Sequence, residues 1–144
     1  MSSIVACASC GTANRVPGVA TSGTPRCGHC RLPLPWVVEA GDYDFDRVAD
    51  ASVPVLVDLW APWCGPCRMV GPAIEAIASE LAGQIKVLKV NVDQSPAVSD
   101  RYQVQGIPTL LLLHPGKPVD RQVGALPRAA LSEWVRSRLD TPAA

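Results

Sequence analysis

Six cysteines fall into three pairs of one spacing, each with two residues between the thiols: Cys7 and Cys10, Cys27 and Cys30, Cys64 and Cys67. Such a pair can hold a metal between thiolates, or it can cycle between dithiol and disulfide. The surrounding elements separate the two chemistries. Cys64 and Cys67 enclose Gly65-Pro66 and follow the apolar run Val53-Pro54-Val55-Leu56-Val57-Asp58-Leu59-Trp60. After them Val70, Ile74, Ile77 and Leu81 recur at the spacing of one helical stripe. A buried strand therefore turns into an amphipathic helix at Cys64, the arrangement of a redox dithiol. A third metal knuckle or a static disulfide would not need that placement.

At a helix N-terminus the Cys64 sulfur faces unpaired N–H groups and the positive end of the dipole, which favour thiolate, the nucleophile of disulfide exchange. Cys67 lies nearly one turn further along the same side, so the two sulfurs can close into a disulfide. Pro66 is tolerated because the first helical turn has no amide bonds to lose. Glycine and proline bring no charge between the cysteines, so Cys64 is acidified only moderately and the pair is expected to be a reductant. An oxidase or isomerase is the other direction the same dithiol could run.

Cys7-Ala8-Ser9-Cys10 and Cys27-Gly28-His29-Cys30 stand sixteen residues apart, a zinc spacing in which each pair aims two sulfurs at one point. Glycine, proline, serine and threonine dominate the interval, too little apolar matter for a core, and a metal would supply the missing folding energy. Redox-active or free thiols in a loose tail are the alternative, His29 could replace one sulfur, and four sulfurs would also accept iron. Residues 1–38 hold Arg15, Arg26 and Arg31 and no acid, a basic excess that reads as compensation for a thiolate metal site as readily as a binding patch. Leu32-Pro33-Leu34-Pro35 reads as a stiff linker, dividing a zinc-binding module at 1–35 from a redox domain at 36–144.

Asp58 is the anomaly of the central strand. Near-continuous apolarity marks burial on both faces, and a carboxylate there has its pKa raised and can take a proton. A strand-end cap or a surface aspartate is its bland alternative. Around this strand the pattern predicts a strand from Trp36, whose ring could instead pack under the zinc module, a short helix within 42–51, and a helix over 64–81 kinked at Pro72 and ending before Gly83. A strand follows at 85–92, then a short helix capped by Ser95-Pro96. Next come a strand entered through Ile107-Pro108, whose bond is a candidate for cis, and a hairpin of 110–114 with 119–123 about Pro115-Gly116. The last helix carries Leu131, Trp134, Val135 and Leu139 inward, and 141–144 are expected to fray. Strands and helices alternate around a mixed sheet, so the fold class is α/β with three layers.

Acidic and basic residues balance at thirteen each, which gives no general attraction to nucleic acid or anionic membrane. Residues 1–7 lack a basic start and an apolar stretch of signal length, and no apolar run approaches membrane-spanning length. The expectation is a cytoplasmic protein, in which six cysteines serve as ligands or catalysts rather than structural disulfides.

The stretch Trp60-Ala61-Pro62-Trp63-Cys64-Gly65-Pro66-Cys67, with Asp58 upstream and Gly106-Ile107-Pro108-Thr109 downstream, resembles thioredoxin. The similarity covers roughly 37–140 and includes Asn91-Val92-Asp93 and Val123-Gly124-Ala125. With two further cysteine pairs in front, the chain is similar to the bacterial thioredoxin 2 type, which carries an N-terminal zinc module. The resemblance implies a protein disulfide reductase working through Cys64 and Cys67, with Asp58 behind Cys67 as its proton acceptor and Lys89 approaching Asp58. It implies a cis Pro108 facing the cysteines, and a substrate apron of Trp63, Gly65, Pro66, Ile107, Pro108, Gly124 and Ala125. It also implies disulfide-containing protein substrates and a flavin-containing, NADPH-dependent thioredoxin reductase as partner, with no organic cofactor bound. The rival reading is a zinc-ribbon interaction module whose thioredoxin-like part only presents partners; retention of both Cys64 and Cys67 speaks against it.

Overall fold

The computed structural model describes residues 2–19, 23–114 and 119–139. Near-continuous aliphatic runs build the centre of a five-stranded mixed sheet. β3 (Val37–Glu39), β5 (Lys86–Asn91) and β4 (Val55–Trp60) run parallel, and β6 (Thr109–Leu113) and β7 (Asp120–Val123) continue the sheet antiparallel, in the order β3-β5-β4-β6-β7. A separate antiparallel pair, β1 (Ser2–Ala6) and β2 (Ala13–Pro17), precedes it. The central strand, the helix from the cysteine pair and the antiparallel return of residues 120–123 all agree with the sequence pattern. The Pro115-Gly116 turn and the terminal 141–144 lie outside the described residues.

Alternation along β4 sorts the core into two halves. Leu56 packs with Val87, Leu110 and Leu112 beneath α2 (Gly65–Glu80) and α4 (Arg128–Leu139), and the stripe Val70, Ile74, Ile77 and Leu81 is fully buried there. Val55, Val57 and Leu59 face the other way, with Leu88, Val90 and Leu111, toward α1 (Phe45–Ala49) and α3 (Pro96–Arg101). α2 runs unbroken through Pro72. In α4 only Leu131 and Val135 are buried, because they form the centre of its stripe; Trp134 and Leu139 sit on its shoulders, half-buried, rather than in the core. No helix among the described residues is long and apolar enough to cross a membrane.

One local expectation changes. Ser95 stands at the N-cap of α3 but makes no side-chain cap bond; the Asp42 carboxylate instead accepts from the N–H groups of Ala97 (3.0 Å) and Val98 (2.9 Å). Trp36 does lead into β3, and it also packs against the N-terminal part, donating from Nε1 to the Pro17 carbonyl at 2.9 Å. Cys7, Val16, Cys27, Leu34 and Trp36 form one continuous core with Val38, Phe45 and Val48. Pro33 crosses the end of α2 so closely that a Cβ on Gly83 (φ +85°) would meet its ring at 2.9 Å.

Candidate active site and candidate metal centre

β4 ends at Trp60, Ala61 to Trp63 make the turn, and Cys64 is the N-cap of α2. Its extended backbone lets the sulfur accept from the Cys67 N–H at 3.2 Å, one of the orphan donors expected at a helix start. The two cysteines are joined as a disulfide with their Cα atoms 5.3 Å apart. In this oxidised form neither sulfur stands proud of the surface: Cys64 is 4 % exposed and Cys67 6 %. Ala61, Trp60, Val92 and Ile107 close around the pair. Gly65 and Pro66 are exposed, as the open N-terminal turn of α2 requires.

The predicted apron residues meet at this point. Ile107 packs against the disulfide, and the Ile107–Pro108 peptide is cis. Pro108 is buried and its carbonyl accepts from the Gly124 N–H at 2.9 Å, which brings Gly124 (φ +96°) and exposed Ala125 beside it. Trp63 is 67 % exposed, and its Nε1 donates to the Asp93 carboxylate at 3.0 and 3.3 Å. A groove of about 900 Å³ runs from Trp63 and Ile107 past Val92 and Pro96 to Gln103 and Gln105. Sequence reasoning had no role for Asp93 in holding this ring; thirty positions separate the two, and only the fold joins them.

Asp58 shares the alternation of Leu56, so it points to the α2 side of the sheet, where Cys67 opens the helix. It is 2 % exposed, and its Oδ1 has no hydrogen-bond partner among the described residues. Burial pushes its carboxyl up to about 6, and the Lys89 ammonium opposes the shift. Lys89 is Asp58's direct partner across the β4–β5 ladder, half-buried, with Nζ 5.5 Å from the centre of the Trp60 ring. A hollow of about 290 Å³ opens beside Cys67, bounded by Ala61, Arg68, Gly71 and Lys89, room for water next to the second sulfur.

Far along the chain, the two other cysteine pairs converge. Each makes a tight turn, closed by Gly11 N–H on the Cys7 carbonyl and by Arg31 N–H on the Cys27 carbonyl. Cys7 and Cys30 sulfurs lie 3.6 Å apart, Cys10 and Cys27 3.7 Å, and all four lie within 4.8 Å of one another. A tetrahedral zinc with sulfur at about 2.3 Å has sulfurs about 3.8 Å apart, so the cluster could hold that ion. The Cys27 thiol is brought down to about 6, first by the Cys30 amide, whereas Cys30 is pushed up to about 11 by burial and the neighbouring sulfurs despite the Leu32 amide. Crowded thiols cannot all ionise alone, and a divalent cation removes that conflict. His29 is exposed, and the four sulfurs assemble without it.

A family model described as Thioredoxin matches residues 36–137. Thioredoxin 1 of Nostoc sp. is 51 % identical over 93 residues, 65 % of this chain and 87 % of that protein. The thioredoxin of Haemophilus influenzae is 42 % identical over 104 residues, 72 % of this chain and 97 % of that protein. A chloroplastic M-type thioredoxin of Chlamydomonas reinhardtii is 38 % identical over 131 residues, 87 % and 94 % of the respective chains.

Proposed function

The chain belongs to the thioredoxin family and is a protein-disulfide oxidoreductase, and from that premise we propose a reductase of the zinc-carrying thioredoxin 2 type, with a metal module at 1–35 and the redox domain at 36–144. The observation that carries the reading is the Cys64–Cys67 disulfide at the mouth of α2, with Ile107 packed against it. The start of the family match at residue 36 supports the division, and the four convergent sulfurs support zinc at Cys7, Cys10, Cys27 and Cys30.

In the reduced protein the Cys64 thiolate attacks one sulfur of a substrate disulfide, forming a mixed disulfide and releasing the other substrate sulfur as a thiolate. Cys67 then gives its proton to Asp58, directly or through water in the adjoining hollow, and attacks the Cys64 sulfur. The second substrate thiolate leaves and the Cys64–Cys67 disulfide forms, two electrons having passed to the substrate. Asp58 suits the task because its raised pKa lies near working pH and its free oxygen faces the α2 side. Trp63, Gly65, Pro66, Ile107, Pro108, Gly124 and Ala125 present the surface on which an extended substrate segment would lie, with the Ile107 backbone offering strand-like pairing. Zinc, when bound, cross-links the two cysteine turns and supplies folding energy; no redox step passes through it. A flavin-containing, NADPH-dependent thioredoxin reductase returns the dithiol, and the cytoplasm is the compartment that keeps it reduced.

One preparation tests both halves. The purified protein is expected to contain one zinc, reduced in Cys7→Ser and Cys30→Ser variants, and to consume NADPH with such a reductase and a disulfide-bonded protein. Background NADPH consumption would overturn the reductase reading, and zinc-free protein from a chelator-free, reducing purification would overturn the metal reading.

A further inference from the structure

The redox chemistry leaves one buried cation unexplained. Lys86, the first residue of β5, is 0 % exposed, whereas a lone lysine is almost never fully buried without partners. Its place in the alternation, with Leu88 and Val90, turns it away from α2 and toward α1 and the N-terminal part. There Nζ donates to the Val48 carbonyl at the end of α1 (2.5 Å) and to the Gly18 carbonyl just beyond β2, and lies 4.3 Å over the Trp36 ring. Trp36 holds the preceding carbonyl, Pro17, through its own N–H. Burial lowers the Lys86 ammonium to about 8, opposed by the Asp50 carboxylate, so it keeps its proton at neutral pH.

The strand so gripped also reaches the sulfur cluster. Asn14 of β2 donates from Nδ2 to the Cys27 sulfur at 3.4 Å and accepts the Gly28 N–H on Oδ1 at 2.9 Å. β2 pairs with β1, which delivers Cys7, and the Cys7 N–H continues that ladder to Thr12. Asn14 and Gly18 are four residues apart, about 13 Å of extended chain. One short strand thus has the metal-ligating turns at one end and a buried ammonium of the redox domain at the other.

We infer that Lys86 couples metal loading at the four cysteines to the folding of the redox domain, by holding the strand that carries Asn14. The inference rests on the zinc reading above. When metal ties the two cysteine turns together, β2 is held in place and Gly18 keeps its carbonyl on Lys86. When metal leaves, that hairpin has little apolar matter of its own, its hold on β2 weakens, and the ammonium loses one of two carbonyls inside a core, a costly state. Coupling of this kind is reciprocal: what metal does for the clamp, the clamp does for metal affinity.

Lys86→Met keeps most of the side chain's length while removing its charge and donors. Full-length Lys86→Met is expected to bind zinc about tenfold more weakly than wild type in competition with a chromophoric chelator. It is also expected to lose less Tm than wild type when zinc is stripped, because no buried ammonium is then abandoned. A residue serving structure alone would lower Tm equally with and without zinc and leave zinc affinity unchanged; that result would overturn the coupling. Trp36→Phe, which keeps the apolar contact but drops the bond to Pro17, should weaken zinc in the same direction and carries the test if Lys86→Met does not fold. Wild-type protein that takes up no zinc would instead overturn the metal reading and the coupling with it, leaving the redox assignment intact.

Discussion

Cys67→Ser is expected to lower multiple-turnover disulfide reduction by on the order of a thousandfold or more and to leave substrate proteins covalently held on Cys64. The first exchange needs only the Cys64 thiolate, which the Cys67 backbone N–H still faces at the start of α2. The second exchange needs the Cys67 sulfur, and serine oxygen cannot resolve a mixed disulfide. Lysate passed over immobilised Cys67→Ser should therefore yield proteins released by reductant alone. A Cys64→Ser, Cys67→Ser double variant should yield none; an equal yield from it would show that the capture is not covalent and contradict the assignment of Cys64 as nucleophile.

Asp58→Asn should produce two separable effects. Resolution of the mixed disulfide slows by about a hundredfold, the usual worth of a positioned general base, while its formation is nearly unchanged. Stopped-flow traces in which both steps slow equally would remove Asp58 from the proton path. The second effect is on stability. The folded carboxyl sits at about 6 against an ordinary 3.8, so the folded protein holds this proton to higher pH than the unfolded chain does. Its contribution is thus a penalty that grows as pH rises from about 4 to about 6 and is fully present above, on the order of 3 kcal/mol. Asp58→Asn removes that charge without emptying space. The variant should be more stable than wild type by about that amount at neutral pH, and by almost nothing below pH 4. Denaturant midpoints showing equal gains at both ends of the range would mean that the buried charge is not the cause.

What was legible in the sequence was what periodicity and local chemistry encode. The apolar run into Asp58, the stripe from Val70 to Leu81, the cysteine spacings and the proline at the entrance of β6 each fix a neighbourhood on their own, and each stands where the pattern put it. What the pattern could not carry is contact between elements distant in the chain. Asp42 caps α3 from fifty-five residues away and displaces Ser95 from that task. Asp93 holds the Trp63 ring, and Gly124 is bonded to Pro108 across the β6–β7 pair. Lys86 is the sharpest case. Nothing in Ile85-Lys86-Val87-Leu88-Lys89 singles Lys86 out, and only the N-terminal part lying over the sheet buries it. The near-closure of Cys64 was hidden for the same reason: Val92, in the turn after β5, and Ile107, in the loop before β6, cover it from distant parts of the chain.

If Cys64 and Cys67 form a reducing dithiol, the equilibrium between their two states must lie toward the disulfide. Nothing between the cysteines carries a charge that would hold the Cys64 thiolate, and among the described residues its close donor is the Cys67 backbone amide. The reduced form is therefore not specially stabilised, which is what an oxidant would need. The measurement is to equilibrate the protein with defined mixtures of reduced and oxidised glutathione and quantify the Cys64–Cys67 disulfide. The predicted result is a potential more negative than the glutathione couple's poise of about −220 to −260 mV, with the disulfide persisting in strongly reducing mixtures. A potential clearly less negative than that poise would rule out a reductase and make the protein an oxidase or isomerase.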